Sequence, residues 1–148
     1  MKSDSLPLEI ADTARVLRRA FDQRAATLGV TRAQWRVLAT LSRNPRIKQV
    51  ELAERLEIEP ISLCRHIDRL EEAGLVERQR DPTDRRAWRL ELTAKAVPTV
   101  DKLRLLAADF AREALDGIDA AEAAKLSGAL ARIRDNVAGM SGQSKKIA

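Results

Sequence analysis

Apolar residues recur at steps of three and four over most of this chain, the spacing that places them on one face of an α-helix. The pattern predicts a first helix over Pro7–Leu28, with the proline in its first turn and Gly29 after its end. It predicts a second helix over Thr31–Arg43, because Thr31 is a suitable N-cap and Pro45 follows shortly after the last apolar residue. The chain therefore opens with one long helix and one short one.

The middle of the chain, residues 47–93, has the pattern of two short helices followed by two short strands. Leu52 and Leu56 give the first of these helices an inner face, and Pro60 opens the second at the position that tolerates proline best. Gly74 ends the second helix, and the next residues alternate on either side of a Pro-Thr-Asp loop, as in a β-hairpin. Two helices and a hairpin in this order are typical of a winged helix-turn-helix.

The C-terminal part, residues 93–139, is again helical and carries two apolar stripes separated by Asp116 and Gly117. The first stripe is Val97, Val100, Leu103, Ala107, Phe110 and Ala114, and the second is Ala123, Leu126, Leu130, Ile133, Val137 and Met140. The first and last helices are long and sparsely connected to the middle, so they would bury little apolar surface alone. We expect them to pack against a second copy of the chain; the alternative is that they wrap a single monomeric core.

Composition and charge narrow the class of protein. The 148 residues are 45% hydrophobic and 33% charged, as in folded domains, and the net charge of +5 favours a polyanionic partner unless it forms only a solvated basic surface. Cys64 and His66 are single in the sequence, which excludes an internal disulfide and a zinc site with four Cys or His ligands and fits a reducing cytoplasm. The charged start and the lack of an 18-residue apolar run predict no signal peptide and no membrane span.

The second short helix of the middle part has an apolar back and a polar front. Leu63, Ile67 and Leu70 form the back, and the front consists of Ser62, Arg65, His66 and Arg69. Arginine can donate two hydrogen bonds to guanine in the major groove, serine can bind phosphate or a base edge, and histidine can add a further contact. The front predicts a DNA-recognition helix; the alternative is an ordinary exposed helix face.

The hairpin that follows is rich in arginine. Its cluster consists of Arg78, Arg80, Arg85, Arg86 and Arg89, with only Asp81 and Asp84 in the loop to offset them. Arginines at the tip of such a hairpin can enter a narrow, electronegative minor groove. A wing beside the recognition helix is therefore the interpretation we favour over a merely solvated hairpin.

Together these patterns predict a mainly α fold, a winged helix-turn-helix with N- and C-terminal dimerisation helices and a small β-wing. The expected parts are the N-terminal helix of the dimerisation region (1–30), the winged helix-turn-helix DNA-binding domain (31–93), the C-terminal dimerisation helices (94–140) and a flexible tail (141–148).

The hairpin also carries a specific sequence pattern. Asp84–Thr93 resembles the wing of the MarR family, in which Asp-x-Arg is followed after five residues by Leu-Thr. Glu51–Ala53 and Arg69–Arg78 are similar to that family as well, and its order of helices spans nearly the whole chain. Glu59–Arg65 and Leu92–Ala96 look like the SlyA branch of the family.

The resemblance implies a homodimer that binds a palindromic site in double-stranded DNA, with the function of a transcriptional regulator and most simply a repressor. Arg65 corresponds to the arginine of the family's recognition helix, and Arg85 or Arg86 to the arginine of its wing. Asp84 is expected to brace the wing by pairing with Arg86 rather than to touch DNA.

The resemblance also implies a small-molecule effector, because members of the family often release DNA on binding an aromatic carboxylate or its thioester. The candidate effector-binding residues near the junction of the first helix with the DNA-binding part are Arg15, Arg18, Arg19, Trp35 and Leu38. The alternatives are that Trp35 is plain core and that the arginines are surface charges. For Cys64, a buried structural role is favoured over a redox switch.

Nothing in the sequence favours an enzyme. His66 adjoins Arg65, whose charge disfavours its use as a base, and neither a glycine-rich phosphate loop nor a nucleophile elbow is present. We therefore expect no catalytic residues, no cofactor and no metal. The rival hypotheses are a winged-helix module that binds another protein and a protein that coats DNA nonspecifically.

Overall fold

The computed structural model describes residues 5–144, which are mostly helical and contain one small antiparallel sheet. The elements are, in chain order, α1 (Leu6–Ala26), α2 (Arg32–Arg43), α3 (Gln49–Leu56), α4 (Pro60–Glu72), β1 (Val76–Arg80), β2 (Trp88–Leu92), a single 3₁₀ turn (Ala94–Ala96), α5 (Val97–Ala114) and α6 (Ala120–Ser144). The predicted fold class, mainly α with a winged helix-turn-helix, is confirmed.

The boundaries of the first two helices follow from local chemistry. The Thr31 hydroxyl accepts a hydrogen bond from the Gln34 amide at 3.2 Å, and the Gln34 side chain accepts one from the Thr31 amide at 3.0 Å, which forms a capping box. Helix α1 ends at Ala26, two residues before the predicted end, because the amides of Leu28 and Gly29 turn back in tighter bonds. Gly29 has a φ of +73°, a conformation that glycine adopts without strain.

The core lies where α2, α3, α4 and the hairpin meet. Its largest fully buried side chains are Val37, Leu38, Leu41, Leu52, Leu63, Ile67, Leu70, Val76 and Leu90. Truncating one such leucine to alanine typically costs about 2–5 kcal/mol of stability. Three of these residues, Leu63, Ile67 and Leu70, form the inner face of α4, so the core fixes which face of that helix points outward.

The hairpin is attached to the helices along one edge. Strands β1 and β2 pair in register from Val76 with Leu92 to Arg80 with Trp88, leaving residues 81–87 as the loop between them, here called the wing tip. On its other side β2 meets the segment before α3, where the Leu90 amide donates to the Ile47 carbonyl at 3.0 Å. The wing is therefore tied both to its own partner strand and to the end of the α2–α3 connection.

The described residues divide into two compact units, the first ending at Phe110 and the second beginning at Ala111. Within the second unit, α6 extends to Ser144 and so includes the first four residues of the predicted tail, because nothing at that point breaks the helix. None of the side chains of residues 120–142 is buried, and four exposed apolar ones, Leu126, Ile133, Val137 and Met140, belong to the predicted stripe. The rest of the predicted tail, residues 145–148, lies outside the described residues.

Across residues 5–144 no helix combines the length and the apolar character that a membrane crossing needs.

Candidate nucleic-acid interface

The outer face of α4 carries the side chains that the sequence assigned to DNA recognition. Ser62, Arg65 and Arg69 are exposed and His66 is half-buried. Steps of three and four residues place all four on one side of the helix, opposite its buried apolar face. Within residues 5–144 no described hydrogen bond or ion pair engages the side chains of Arg65 and Arg69. The helix thus presents two guanidinium groups and a hydroxyl to an external partner.

Arg78, one of the five hairpin arginines, faces the protein rather than solvent. Its side chain is 13% exposed and bridges to Asp68 at 2.7 Å and Glu71 at 3.0 Å, both on α4. It also donates to the Cys64 carbonyl at 3.2 Å and to the Gln49 side chain at 3.2 Å. Burial lowers the pKa of Arg78, but the hydrogen bonds and charges of the two carboxylates outweigh that effect and raise it overall. Arg78 therefore fastens β1 to α4.

Asp81 organises the wing tip from inside. Its side chain is fully buried, and its Oδ1 accepts hydrogen bonds from the Thr83 amide at 2.9 Å, the Thr83 hydroxyl at 2.8 Å and the Asp84 amide at 3.0 Å. Its Oδ2 pairs with Arg89 Nε at 2.5 Å. The Thr83 hydroxyl and amide, followed by Arg89 and the Asp84 amide, lower the pKa of Asp81 well below its ordinary value although burial opposes them. The carboxylate thus stays ionised and holds the tip in one shape.

The predicted brace between Asp84 and Arg86 takes a different form. Asp84 Oδ1 accepts a hydrogen bond from the backbone amide of Arg86 at 3.0 Å, and no ion pair with the guanidinium is found among the described residues. The contact with Arg86 goes to its backbone rather than to its guanidinium because the carboxylate of Asp84 closes a local turn two residues ahead. The Arg86 side chain is left exposed as a result.

The remaining hairpin arginines divide into a supporting one and two outward ones. Arg80 donates to the Arg85 carbonyl at 2.8 Å and lies over the ring of Trp88, 4.7 Å from its centroid. Arg85 and Arg86 are exposed at the tip, and their guanidinium groups have no described partner within residues 5–144. The wing therefore offers two solvated cations beside the polar front of α4, supported by three arginines that are already engaged.

A separate cleft lies in the first unit, bordered by α1, α2 and α5. This feature, here called the Trp35 cleft, has a volume of about 180 Å³ and is lined by Phe21, Trp35, Ala39, Ser42, Arg43, Val100, Leu103, Arg104 and Ala107. Phe21 and Trp35 meet edge to face with ring centroids 4.8 Å apart, and Trp35 Nε1 donates to Asp22 at 2.8 Å. At the polar side Arg104 donates to the Ser42 hydroxyl at 2.6 Å. The cleft joins an aromatic wall to two guanidinium groups.

The structure brings only one of the predicted effector-binding residues, Trp35, to this cleft. Leu38 is fully buried in the core, and Arg18 and Arg19 are exposed and outside the lining. Arg15 is also exposed and pairs with Asp12 on the same helix at 2.5 Å. The prediction placed the charges on α1, whereas the arginines that line the cleft are Arg43 and Arg104 of α2 and α5.

Known proteins share the sequence and the fold of this chain. A model of the MarR family matches residues 28–87. The crystal structure of the transcriptional regulator PA3341 is 36% identical with a TM-score of 0.82, covering 90% of this chain and 98% of that one. The transcriptional regulator SlyA is 30% identical with a TM-score of 0.76, covering 89% and 93%. A mutant MarR from E. coli in complex with operator DNA is 28% identical with a TM-score of 0.74, covering 86% and 92%.

The chain belongs to the MarR family. It is accordingly a transcriptional regulator with the winged-helix DNA-binding fold, and the MarR family is a family of regulators rather than enzymes.

For this member of the MarR family, sequence reasoning missed the residues that support the interface. Asp81 precedes Pro-Thr, a local sequence that favours a side chain turning back onto the next amides, and this signal could have identified it. Arg78 shares its strand face with the buried Val76, since alternate residues of a strand point the same way. The role of Arg104 carried no local signal, because its partner Ser42 lies 62 residues earlier.

Proposed function

We propose that this chain is a sequence-specific repressor that binds a palindromic operator as a homodimer and releases it on binding a small molecule. One observation supports DNA binding above all: two neighbouring elements present arginines that no described group of the protein engages. These are Arg65 and Arg69 on the outer face of α4 and Arg85 and Arg86 at the wing tip. A core of fully buried leucines under α4 supports the precise placement that base recognition needs.

In the proposed complex α4 enters the major groove and the wing enters the neighbouring minor groove. Arg65 would donate two hydrogen bonds to a guanine, and Ser62, in the first turn of α4, would bind phosphate or a base edge. His66 and Arg69 would add contacts along the same face. The E. coli MarR variant in complex with operator DNA, which is 28% identical, supports operator binding as such.

The proposed dimer rests on apolar side chains that the single chain leaves in solvent. On α6 these are Leu126, Ile133, Val137 and Met140. On α1 they are Leu6, Leu8, Val16 and Leu17, which are 41–74% exposed. Burying them against a second copy would recover hydrophobic free energy of roughly 25 cal/mol per Å². In this proposal residues 1–30 and 94–140 form the dimerisation region around the DNA-binding part, residues 31–93, and the two half-sites lie about 34 Å apart.

The proposed effector is an aromatic carboxylate or its thioester, and the Trp35 cleft is its proposed site. The edge of Trp35 and Phe21 would contact a ring, and Arg104 or Arg43 would pair with an acid group by two parallel hydrogen bonds. The cleft volume of about 180 Å³ suits a single ring. Such a ligand would favour release only if it binds the DNA-free arrangement more tightly than the DNA-bound one.

Within the family, we propose that this chain is most closely related to the SlyA branch. The support is Glu59–Arg65 and Leu92–Ala96 of this sequence together with the 30% identity to the SlyA structure.

The experiment that tests this function is the selection of binding sites from a pool of random duplexes by the purified protein. We expect the pool to converge on a palindrome with half-sites one helical turn apart, and binding to survive excess nonspecific DNA. A protein that retains every duplex without convergence would be a DNA-coating protein. A protein that retains none at low ionic strength would favour the protein-binding module instead.

A further inference from the structure

The segment between α2 and α3, residues 44–48, contains a residue in an unusual conformation. Arg46 has a φ of +61°, in the left-handed region that residues other than glycine rarely adopt. In this conformation its carbonyl accepts a hydrogen bond from Arg89 Nη1 at 2.8 Å, across 43 residues of sequence. The strained residue is thus held by a contact with the wing strand β2.

The guanidinium of Arg89 also contacts the residue that shapes the wing tip. Arg89 Nε pairs with the buried Asp81 at 2.5 Å, and Asp81 in turn holds the amides of Thr83 and Asp84. Asp84 closes the turn that precedes the exposed side chain of Arg86. A single side chain, Arg89, therefore joins the α2–α3 segment to the carboxylate that shapes the tip.

The other end of the α2–α3 segment borders two clefts. Ser42 and Arg43 line the Trp35 cleft, and a second cleft of about 420 Å³ is lined by Pro45 and shares Ser42, Val100 and Arg104 with the first. The hydrogen bond from Arg104 to Ser42, 2.6 Å long, lies where the two clefts meet. A group that competes for the Arg104 guanidinium would free the Ser42 hydroxyl in the last turn of α2. That turn directly precedes the segment whose Arg46 carbonyl contacts the wing strand.

We propose that Arg89 is a positioning residue that couples the state of the Arg104–Ser42 contact to the shape of the wing tip through the Arg46 carbonyl. The role of this coupling in regulation rests on the proposed function. If the effector binds in the Trp35 cleft, the coupling connects that ligand to the wing-tip arginines that are proposed to bind DNA. In this proposal the α2–α3 segment has two arrangements. In one, Arg46 keeps the left-handed conformation and the bond to Arg89 that the structure shows, and in the other it relaxes and loses both. Relaxation removes the Arg46 contact, one of the two described contacts of the Arg89 side chain, and leaves the contact with Asp81 without that support.

The coupling is tested in the free protein by hydrogen exchange of the wing-tip amides, a measurement that requires neither DNA nor an effector. Arg104→Gln breaks the contact with Ser42 and is expected to raise exchange at Thr83 and Asp84 several-fold. Arg89→Gln is expected to raise it at least as much. In the Arg89→Gln background, Arg104→Gln should add nothing, since the route between the two sites is already cut.

Two further variants make the test specific. Lys102→Gln removes a cation from an exposed position of α5 outside both clefts and should leave the wing tip unchanged. Arg89→Lys, which keeps a cation for Asp81 but offers a single donor group, should retain most of the protection while losing the response to Arg104→Gln. It also covers the case in which Arg89→Gln fails to fold.

The proposal is overturned if Arg104→Gln leaves wing-tip exchange unchanged, or if it raises exchange equally with and without Arg89. Site selection with the same variants separates this inference from the proposed function. A failure to select any operator, with the exchange results as expected, would refute the proposed function and leave the coupling intact. If the pool of duplexes converges on an operator but the exchange effects of Arg104→Gln and Arg89→Gln add, the proposed function stands and the coupling is refuted.

Discussion

Among single residues, the buried carboxylate of Asp81 matters more for the wing than its position next to a proline suggests. It accepts from a hydroxyl and two amides and pairs with a guanidinium, so each of its oxygens is satisfied. None of these bonds touches an external partner. They fix the backbone from which Arg85 and Arg86 extend, and preorganised contacts lose less conformational entropy when DNA is bound.

Replacing Asp81 by asparagine should loosen the wing tip without unfolding the protein, because asparagine keeps the shape but not the charge that attracts Arg89. The folded-state pKa of Asp81 lies below its unfolded value of about 3.9. The ionised carboxylate therefore stabilises the fold fully above that pH, and its contribution is lost as the pH falls through the folded pKa. The difference in melting temperature between wild type and Asp81→Asn should be largest near neutral pH and shrink below about pH 3.9.

The matched control for this prediction is Asp84→Asn. It removes charge from the same loop but disturbs only the bond to the Arg86 amide. A melting-temperature difference for Asp81→Asn that stays constant from pH 7 to pH 3 would show that the charge of Asp81 contributes nothing to the wing.

Arg65 is the residue to which we assign base recognition. Arg65→Ala should weaken binding to a selected operator by about 1–3 kcal/mol and relax the preference at one position of each half-site. Fluorescence anisotropy with a set of single-base operator variants measures both effects. Arg18→Ala, which removes the same charge from an exposed position of α1, serves as the control. If the two variants bind alike and keep the same base preference, Arg65 does not contact a base.

Among the elements, the hairpin and α4 behave as one body because Arg78 joins them. The side chain leaves β1, contacts Gln49 of α3 and ends among Cys64, Asp68 and Glu71 of α4. Since Asp68 and Glu71 are themselves about half-exposed, part of this network is screened by solvent, and its value lies in orientation more than in stability. The angle between α4 and the hairpin is set by this contact and by the core beneath it.

The elements could be predicted from the sequence, whereas the contacts between them could not. Periodicity and end signals such as Thr31, Pro60 and Gly74 act within a few residues, so the helices, the hairpin and the outward face of α4 followed from local spacing. The partners of Arg78 and Arg104 depend on how elements pack, which no short pattern encodes. For the same reason all five hairpin arginines look alike in the sequence, although only Arg85 and Arg86 have guanidinium groups without a described partner.

The wing as an element should be visible in the salt dependence of DNA binding. Arg85→Ala combined with Arg86→Ala should weaken binding and lower the slope of log K against log salt by up to about 1.8, roughly 0.9 for each lost phosphate contact. Binding titrations across a range of salt concentrations give this slope. Glu77→Gln, an exposed change on β1, is the control within the same hairpin. A slope that does not change in the double variant would remove the wing from the interface.

For the whole molecule, the feature that requires explanation is the amount of apolar surface that one chain leaves uncovered. Helix α6 has no buried side chain over residues 120–142, although leucine, isoleucine and valine recur along one side of it. Soluble proteins seldom expose a continuous apolar stripe unless another molecule covers it. The partner we propose is a second copy of the chain, which would also bring two DNA-binding parts to a palindrome.

Introducing charge into that stripe should therefore separate the dimer. Leu126→Glu combined with Val137→Glu places two carboxylates where the partner would bury apolar side chains, and a buried unpaired charge is costly enough to oppose association. Light scattering should report a monomer, and operator affinity should fall steeply because one half-site then binds alone. Arg132→Glu adds a carboxylate outside the apolar stripe of α6 and should leave the mass of the dimer unchanged. Truncation before Ala123 should give an unstable or monomeric product, and an intact dimer from either the truncated or the doubly charged protein would refute this use of the stripe.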